Sequence, residues 1–336
     1  MLQLGRPHMS DRSEWSLSAP RKLTFDAPVT ALHVRVVGGT VNVVGTDTGP
    51  ASLHLSEIEG PPLAVSLHNG VLSIAYEDLP WQGFLKLLDR KGWQRTAHIT
   101  LTVPTETRAE VGTVHAAAVV SGLSGRTEVR GISGDSTLVG LTGEVRADTV
   151  SGSVEAQSLG GRLRFNSVSG ELTVIDGTSP AVKADSISGN MVLDIAPTAA
   201  PADMHLNTVS GGIAIRLPDP ANVAVDAQTT SGQLSNAFDD LTVDGSPWSG
   251  PWGAWACPGG TGGKITGTLG TVCGRLKATS ISGAIAVLRR PSTEEGAPPG
   301  GPTAPPGPDG PPEPAVPRRH EPTDPPQASP SDKKVL

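Results

Sequence analysis

The chain has little of what disulfide scaffolds, membrane-spanning proteins and nucleic-acid-binding proteins need. Its 336 residues include two cysteines, Cys257 and Cys273, which lack a CxxC spacing and are expected to be free thiols in a reducing compartment. No apolar run reaches the length of about 18 residues that predicts a membrane-spanning helix. The formal net charge is −7 and no basic stripe is visible along the sequence, which argues against binding to nucleic acid.

Motifs of catalysis and metal binding are also absent from the sequence. The eight histidines occur singly, which disfavours a metal site. Residues 259–264 resemble a phosphate-binding loop, but Pro258 replaces its first glycine and Ile265 replaces its Ser or Thr. GxSxG, HExxH and strand-linked GxGxxG motifs are missing. We therefore predict a protein that is not an enzyme and holds no metal or cofactor.

A glycine recurs every nine residues in the middle of the chain. The six members of this series are Gly125, Gly134, Gly143, Gly152, Gly161 and Gly170. Each follows a small residue and precedes an alternating run, as in Ser151–Ala156. A glycine at a fixed offset predicts a turn with positive φ, and the alternation predicts a strand with one buried face. A short period of strand plus turn is typical of a stacked β-repeat.

A longer period, about twice the short one, is superimposed on it. It repeats Val/Ile-Ser-Gly at residues 150–152, 168–170, 187–189, 209–211 and 281–283, with Thr-Ser-Gly at 230–232. Two nine-residue units per coil predict an all-β solenoid, or β-helix-like stack, in which equivalent residues lie above one another. The predicted inward residues are Val154, Ala156, Leu163, Phe165, Leu172, Val174, Val182, Ala184, Met191, Leu193, Ile213 and Ile215. The alternative fold is a twisted antiparallel sandwich.

A hydroxyl residue precedes each of these repeated motifs. The residues are Thr149, Ser167, Ser186, Thr208, Thr229 and Ser280. They are expected to form a hydrogen-bonded ladder along one corner of the stack. We interpret the Ser-Gly steps as turn chemistry rather than as a row of catalytic serines.

These repeated motifs carry a family resemblance. The Ser-Val-Ser-Gly-x-Leu pattern, Ile265–Gly270 and the final Ser280–Ile285 are similar to the bacterial DUF4097 group of β-strand-repeat proteins, which carry the label "putative adhesin". The resemblance extends from about Leu23 to Leu288. It implies a β-helix-like body with an envelope-related role, and it supplies no catalytic residues.

Composition divides the chain into three parts. Residues 1–21 are expected to be a flexible leader, and residues 22–290 a single β-repeat domain. Residues 291–336 are rich in Pro and Gly and are expected to be a disordered tail, because they cannot bury a core. Ile285, Val287 and Leu288 are predicted to be the last core positions.

One short helix is predicted near residues 81–92, within the amphipathic segment 79–95. The apolar residues at helical spacing are Trp81, Phe84, Leu85 and Leu88, with Trp93 nearby, and the opposite face is basic. Two interpretations remain open. The helix covers an open end of the stack, as repeat proteins require, or it contacts a membrane surface or a partner.

A second interruption, Asp239–Gly274, contains both cysteines and half of the six tryptophans. Trp248, Trp252 and Trp255 lie close together in the sequence. An aromatic loop of this kind is a candidate site for a sugar or peptide, and it is equally suited to be a buried lid.

The sequence therefore favours a non-catalytic scaffold or binding protein, adhesin-like and envelope-associated, with an unknown protein or cell-envelope partner. Two alternatives are a membrane-surface-associated protein acting through segment 79–95 and a carbohydrate-active β-helix enzyme. The polar N-terminus has no signal-peptide pattern, so a cytoplasmic location with peripheral membrane association is predicted.

Overall fold

The protein is all-β throughout the part that the structure describes. A computed structural model describes residues 12–76, 95–197, 202–244, 262–271 and 274–290. These ranges contain 26 strands and no helix. The helix predicted near residues 81–92 lies outside them. The chain divides into two units, Met1–Thr293 and Glu294–Leu336, and all described strands belong to the first.

Eight strands come before the regular repeats. They are β1 (Arg12–Leu17), β2 (Arg21–Phe25), β3 (Ala31–Val36), β4 (Gly38–Thr46), β5 (Ala51–Glu59), β6 (Leu63–His68), β7 (Val71–Ala75) and β8 (Thr96–Pro104). The β6–β7 turn has positive φ at Asn69 and Gly70, as hairpin turns with matched twist require.

Twelve strands follow at regular intervals. They are β9 (Arg108–Thr113), β10 (Ala117–Ser121), β11 (Thr127–Gly131), β12 (Ser136–Val139), β13 (Val145–Thr149), β14 (Val154–Gln157), β15 (Leu163–Ser167), β16 (Leu172–Gly177), β17 (Ala181–Ser186), β18 (Met191–Ile195), β19 (Asp203–Thr208) and β20 (Ile213–Leu217). The remaining strands are β21 (Val223–Thr229), β22 (Leu234–Asn236), β23 (Leu241–Asp244), β24 (Gly263–Leu269), β25 (Gly274–Ser280) and β26 (Ile285–Arg289).

Successive strands of the repeat alternate between two sheets of 14 and 12 strands. From β9 to β20, each strand pairs in parallel with its neighbours in its own sheet, which belong to the adjacent coils, so one strand from each sheet makes a coil. Val154, Leu172 and Met191 are successive Cα partners, as the predicted stacking requires. The parallel pairing excludes the alternative of an antiparallel sandwich for these strands.

The core lies between the two sheets and follows the predicted alternation. All twelve predicted inward residues are at most 3% exposed. At the end of the repeat Ile285 and Val287 are buried, but Leu288 is 37% exposed. The prediction for Leu288 was wrong because adjacent residues of a strand face opposite sides, so Leu288 points away from the core that Val287 enters.

The six glycines that recur every nine residues are not required for a backbone with positive φ. None of the six has a positive φ. A Cβ on Gly161 would instead lie 1.7 Å from the carbonyl oxygen of Gly143, and one on Gly152 would lie 2.1 Å from that of Gly134. Glycine is therefore required because the backbones of successive coils approach closely at these corners, and the expectation of positive φ was wrong.

The left-handed positions of the repeat lie at another corner. Gly122, Gly140, Ser158 and Asp176 have φ between 53° and 66° and recur once per coil at the ends of the strands of the 12-stranded sheet. The first three precede the buried leucines Leu123, Leu141 and Leu159, so we call this the leucine corner. Two of the four positions carry a side chain, which hides the pattern in the sequence.

The opposite corner, which contains the Ser-Gly steps, is held by two sets of hydroxyl groups. Buried Ser186 accepts a hydrogen bond from the Gly189 amide at 2.9 Å, and the same bond within one corner recurs at Ser167, Thr208, Thr229 and Ser280. The serine of each Ser-Gly step links coils: Ser188 donates to the carbonyl of Val168 at 3.2 Å. The ladder between coils is thus formed by these serines along the whole corner, and among the residues before the motif Thr229 and Ser280 add bonds to the carbonyls of Gly283 and Gly211.

The last coil does not occupy the last place in the stack. In the 14-stranded sheet the order is β19, β25, β21, and in the 12-stranded sheet it is β20, β26, β22. The coil of β25 and β26 is therefore inserted between two coils that precede it in the sequence. Antiparallel β24 and β23 follow β21 at this end of the 14-stranded sheet.

The other end of the stack begins earlier than expected. Strand β1 pairs with β6 at the edge of the 14-stranded sheet, and its Leu17 is 1% exposed. Trp15 packs edge-on against Phe25 of the other sheet, with ring centroids 5.4 Å apart. The expectation of a leader over residues 1–21 is wrong for Arg12–Leu17, because buried side chains and a paired backbone hold this strand in the fold.

Candidate functional site

The site residues proposed from the sequence all lie outside the described residues. They are Trp81, Phe84, Leu85, Leu88 and Trp93 in the amphipathic segment, and Trp248, Trp252 and Trp255 in the aromatic loop. Both groups stay predictions. Within the described ranges, no group of His, Cys, Asp and Glu is arranged to hold a metal ion, and no helix could cross a membrane.

The most distinctive surface of the described part is a line of basic side chains on the outer face of the 14-stranded sheet. Neighbouring strands place Arg146, Arg164, Lys183, His205 and Lys277 side by side as successive Cα partners. We call these five residues the basic row. With neighbouring strands about 4.8 Å apart, the row extends over four spacings, or about 19 Å.

Strand alternation places the basic row on the outside of the sheet. On β15, Leu163 and Phe165 are buried on either side of exposed Arg164, and on β25, Leu276 and Ala278 flank exposed Lys277 in the same way. The buried residues fix the register, and a shift by one residue would turn them out to solvent. The same buried residues that form the core therefore also fix which residues of these strands face outward.

A second row lies two residues further along each strand, towards the Ser-Gly corner. It contains Asp148, Asn166, Asp185 and Asn207, which we call the Asp/Asn row. Asn166 donates to Asp148 at 2.5 Å and Asn207 donates to Asp185 at 2.8 Å. These bonds join adjacent coils and leave further oxygen and amide groups on the surface.

Two additional arginines border the basic row on its other side. Arg162 lies two residues before Arg164, just ahead of β15, and Arg275 lies two residues before Lys277 within β25. Each pair of cations is about 7 Å apart. Asp203 lies next to Arg275 in the same line. All four cationic side chains belong to exposed residues.

Three acidic side chains of this face each contact a residue of the basic row. Asp148 accepts from Arg146 Nε at 2.7 Å, Asp185 lies 3.8 Å from Lys183, and Asp203 lies 3.3 Å from His205. The contact with Asp148 raises the pKa of Arg146. Within the described ranges, by contrast, neither of the two cation pairs at β15 and β25 forms an ion pair. The members of these pairs are Arg162, Arg164, Arg275 and Lys277.

Acidic residues end the line on both sides. On β21, Asp226 is the Cα partner of Lys277 and forms an ion pair with Lys264. The other end contains more charges. Strands β9 and β11 place Glu110 and Glu128 where the following strands have cations. Arg130 contacts both of these carboxylates, and Arg146 also approaches Glu128. Nearby Arg35 is partly buried, and burial lowers its pKa while Glu110 opposes that effect. Charges are therefore neutralised here within the protein.

The middle of the outer face of the 12-stranded sheet carries little charge by comparison. Its central line contains Val119, Thr137, Glu155, Thr173, Val192, Ala214 and Ala286 in successive register. The two faces of the stack thus differ in chemistry, and of these two lines only that of the 14-stranded sheet presents grouped cations.

An apolar line is exposed at the Ser-Gly corner. Val168, Ile187, Val209 and Ile281 are 43–53% exposed and occupy equivalent places in neighbouring coils. We call them the corner aliphatic row. They lie four residues beyond the basic row, or about 13 Å along the strands, with the Asp/Asn row between.

Sequence reasoning missed the basic row because its members are far apart in the chain. Arg146, Arg164, Lys183 and His205 belong to successive coils, and Lys277 lies much later, on the inserted coil. Alignment of the Ser-Gly motifs, followed by comparison of the residues four positions before each Val or Ile, would have revealed these basic residues. Only the strand order shows that Lys277 lies beside His205.

Comparisons with known proteins yield only distant matches. No family description and no curated protein matches the sequence. A solved "putative cell adhesion protein" from Clostridium sporogenes has 11% identity and a TM-score of 0.25, with 81% of this chain and 100% of that chain covered. Two proteins from Parabacteroides distasonis have somewhat higher TM-scores.

The first of these, a "putative lipid binding protein", has 14% identity and a TM-score of 0.38 over 81% of this chain and 98% of that chain. The second, a "putative adhesin", has 13% identity and a TM-score of 0.41 over 83% and 98%. At these identities and TM-scores the matches carry no argument about function, which is argued below from the residues of this chain. The resemblance to the DUF4097 group stays a prediction.

Proposed function

We propose that this chain is a non-catalytic β-solenoid that binds a component of the cell envelope, in an adhesin-like role, through the outer face of its 14-stranded sheet. The observation that carries the proposal is the grouping of four cations without an ion pair in the described ranges: Arg162, Arg164, Arg275 and Lys277. The whole chain has a formal net charge of −7, so this group stands out from an acidic protein.

The fold suits a binding surface of this kind. Strands β15, β17, β19 and β25 each have a parallel neighbour on both sides, so the side chains of the face project from a firmly held backbone. A pre-ordered surface loses less conformational entropy when a ligand binds. The row crosses several neighbouring strands, which favours an extended partner over a small molecule.

Binding to envelope components tests the proposal. The full chain is incubated separately with cell-wall sacculi, purified surface polysaccharide and membrane vesicles from the source cells, and co-sedimentation is measured. Hydrogen exchange on any complex should show protection on β15, β17, β19 and β25. Absence of binding to every fraction, or protection confined to the 12-stranded sheet, would contradict the proposal.

Cell fractionation supplies a second test, because an external ligand requires that the protein be exported. That requirement conflicts with the cytoplasmic location predicted from the sequence. Protein found only in the cytosolic fraction would contradict an adhesin-like role and favour the predicted location.

A second candidate function is association with a membrane surface. The corner aliphatic row favours it, because exposed Val and Ile side chains can enter the interface of a bilayer. Liposome co-sedimentation should then fall for Val168→Ser/Ile187→Ser. A loss with Phe84→Asp/Leu85→Asp in a folded protein would support segment 79–95 instead, whereas aggregation of that variant would support the capping interpretation.

A further inference from the structure

The arrangement of the basic row is unfavourable for the isolated protein. Arg146 faces Arg164, Arg164 faces Lys183, and like charges directly opposite on neighbouring strands destabilise a sheet. His205 and Lys277 continue the line. Acidic side chains pair with Arg146 and Lys183, whereas Arg164 and Lys277 form no ion pair in the described ranges, although Asp226 of β21 is the cross-strand neighbour of Lys277. An anionic ligand would remove this repulsion.

The shape of the row indicates a linear ligand. Its charges repeat with the strand spacing, along a line of about 19 Å that runs perpendicular to the strands. The extra cations Arg162 and Arg275 widen the line at β15 and β25, and β17 and β19 separate these two strands. A polymer with an anionic group on each repeat unit can engage several of these positions at once, which a single small anion cannot do.

The neighbouring side chains favour a sugar polymer over a nucleic acid. The Asp/Asn row supplies oxygen acceptors and amide donors beside the cations, and these suit the hydroxyl groups of a saccharide. The outward residues that border the basic row on β15, β17, β19 and β25 include no aromatic side chain on which a base could stack. Asp148 and Asp185 would also lie close to the phosphates of a wide duplex.

The same acidic groups argue against a membrane as the ligand of this row. Asp148 and Asp185 lie between the basic row and the corner aliphatic row, so anionic head groups bound to the cations would meet them before the aliphatic side chains reached the bilayer. A slender chain that follows the basic row avoids this conflict.

We infer that the basic row, with Arg162 and Arg275, is the binding site for a linear acidic polysaccharide that lies along the stack, perpendicular to the strands. The inference rests on the proposed binding function and gives its ligand class. Carboxylate or sulfate groups of the polymer contact Arg164, Lys183 and Lys277, and sugar hydroxyl groups contact the Asp/Asn row.

The test compares two double variants of the full chain. Arg164→Gln/Lys277→Gln removes two cations from the site. The matched control, Arg21→Gln/Lys22→Gln, removes two exposed cations from β2 of the other sheet, which form no ion pair in the described ranges. Both changes alter the net charge equally. Thermal unfolding confirms that both variants are folded, which is expected because all four residues are exposed.

Binding is measured with polygalacturonate, neutral dextran, duplex DNA and phosphatidylglycerol vesicles. We expect binding to polygalacturonate that weakens with salt, and no binding to dextran. The site variant should bind polygalacturonate about tenfold more weakly, with a salt slope reduced by about 2, since each lost ionic contact lowers that slope by about one. The control variant should match the wild type.

Equal effects of the two variants would overturn the site, and tighter binding to DNA or vesicles than to polygalacturonate would overturn the ligand class. Failure to bind polygalacturonate while an envelope fraction is still bound would refute this inference and leave the proposed function standing. Failure to bind any fraction or probe would refute both.

Discussion

The hydroxyl of Ser231 donates a hydrogen bond to the carbonyl oxygen of Ile281, 3.2 Å away and 50 residues later in the chain. Elsewhere the equivalent serine bonds to an earlier residue, as Ser188 does to Val168. The direction reverses along the chain because the coil of β25 and β26 is inserted before that of β21 and β22 in the stack. The Ser-Gly corner therefore depends on its neighbours in space and not on their order in the sequence.

Substitution of Gly161 by Ala should strongly destabilise the stack. The added Cβ would meet the Gly143 carbonyl at 1.7 Å, and both groups belong to backbone that cannot move independently. We expect a loss of about 2–4 kcal/mol in the free energy of unfolding, measured by urea denaturation. Gly160→Ala is the control, since its Cβ would make only an ordinary contact of 3.6 Å with Thr142. Similar losses for both variants would refute the close-approach explanation.

Replacing Ser158 by Gly should stabilise the protein. Ser158 has φ of 53° at the leucine corner, where the equivalent residue of the preceding coil is Gly140 with φ of 61°. Relief of left-handed strain outweighs the added chain entropy, so we expect a gain of about 0.5–1 kcal/mol. The reciprocal variant, Gly140→Ser, should lose a comparable amount. Thermal unfolding of both variants checks the sign, and destabilisation by Ser158→Gly would contradict the prediction.

Two serines of one corner should differ in their contribution to stability. Ser186→Ala leaves the buried amide of Gly189 without its acceptor and should cost about 1–3 kcal/mol. Ser188→Ala removes an exposed hydroxyl bond to Val168 and should cost about 0.5 kcal/mol. Urea denaturation of the two variants measures the difference. A larger loss at Ser188 would show that the bond between coils matters more than the bond within the corner.

Truncation should locate the end of the folded unit at Arg290. Its amide donates to Leu217 at 2.7 Å, and its guanidinium contacts the Ile195 carbonyl and Asp176. A chain ending at residue 291 should keep the melting temperature of the full chain. A chain ending at residue 289 should melt about 3–6 °C lower, because these contacts are lost. A drop of several degrees in the longer truncation would instead show that residues 292–336 pack on the fold.

The repetitive part of the fold was predictable because local patterns determine it. The alternation of apolar residues around Leu163 and Phe165 specifies the inward face, and the Ser-Gly period specifies the stacking of equivalent coils. The role of the glycines was not predictable in the same way. Close approach of Gly161 to Gly143 is a contact between coils, and the local sequence suggests turn geometry instead.

The candidate site could not be recognised in full from the sequence because it depends on strand order. Arg164 and Lys183 belong to consecutive coils, and the longer repeat period could have paired them. Lys277 joins the row only because β25 pairs with β19. Five strands, β20 to β24, lie between them in the sequence, and no local sequence pattern indicates this pairing. The sequence also could not show which cations are paired, because the bond between Arg146 and Asp148 depends on the orientation of the two side chains.

The inserted coil has a consequence for biosynthesis. Strands β21 and β22 leave the ribosome before β25 and β26, while the edge formed by β19 and β20 is still open. Thr229 of β21 and Ser280 of β25 carry the same corner bond, so β21 can pair with that edge in a register that resembles the native one. Such an early pairing must separate again to admit β25. We therefore expect the repetition that makes the stack regular to slow its folding.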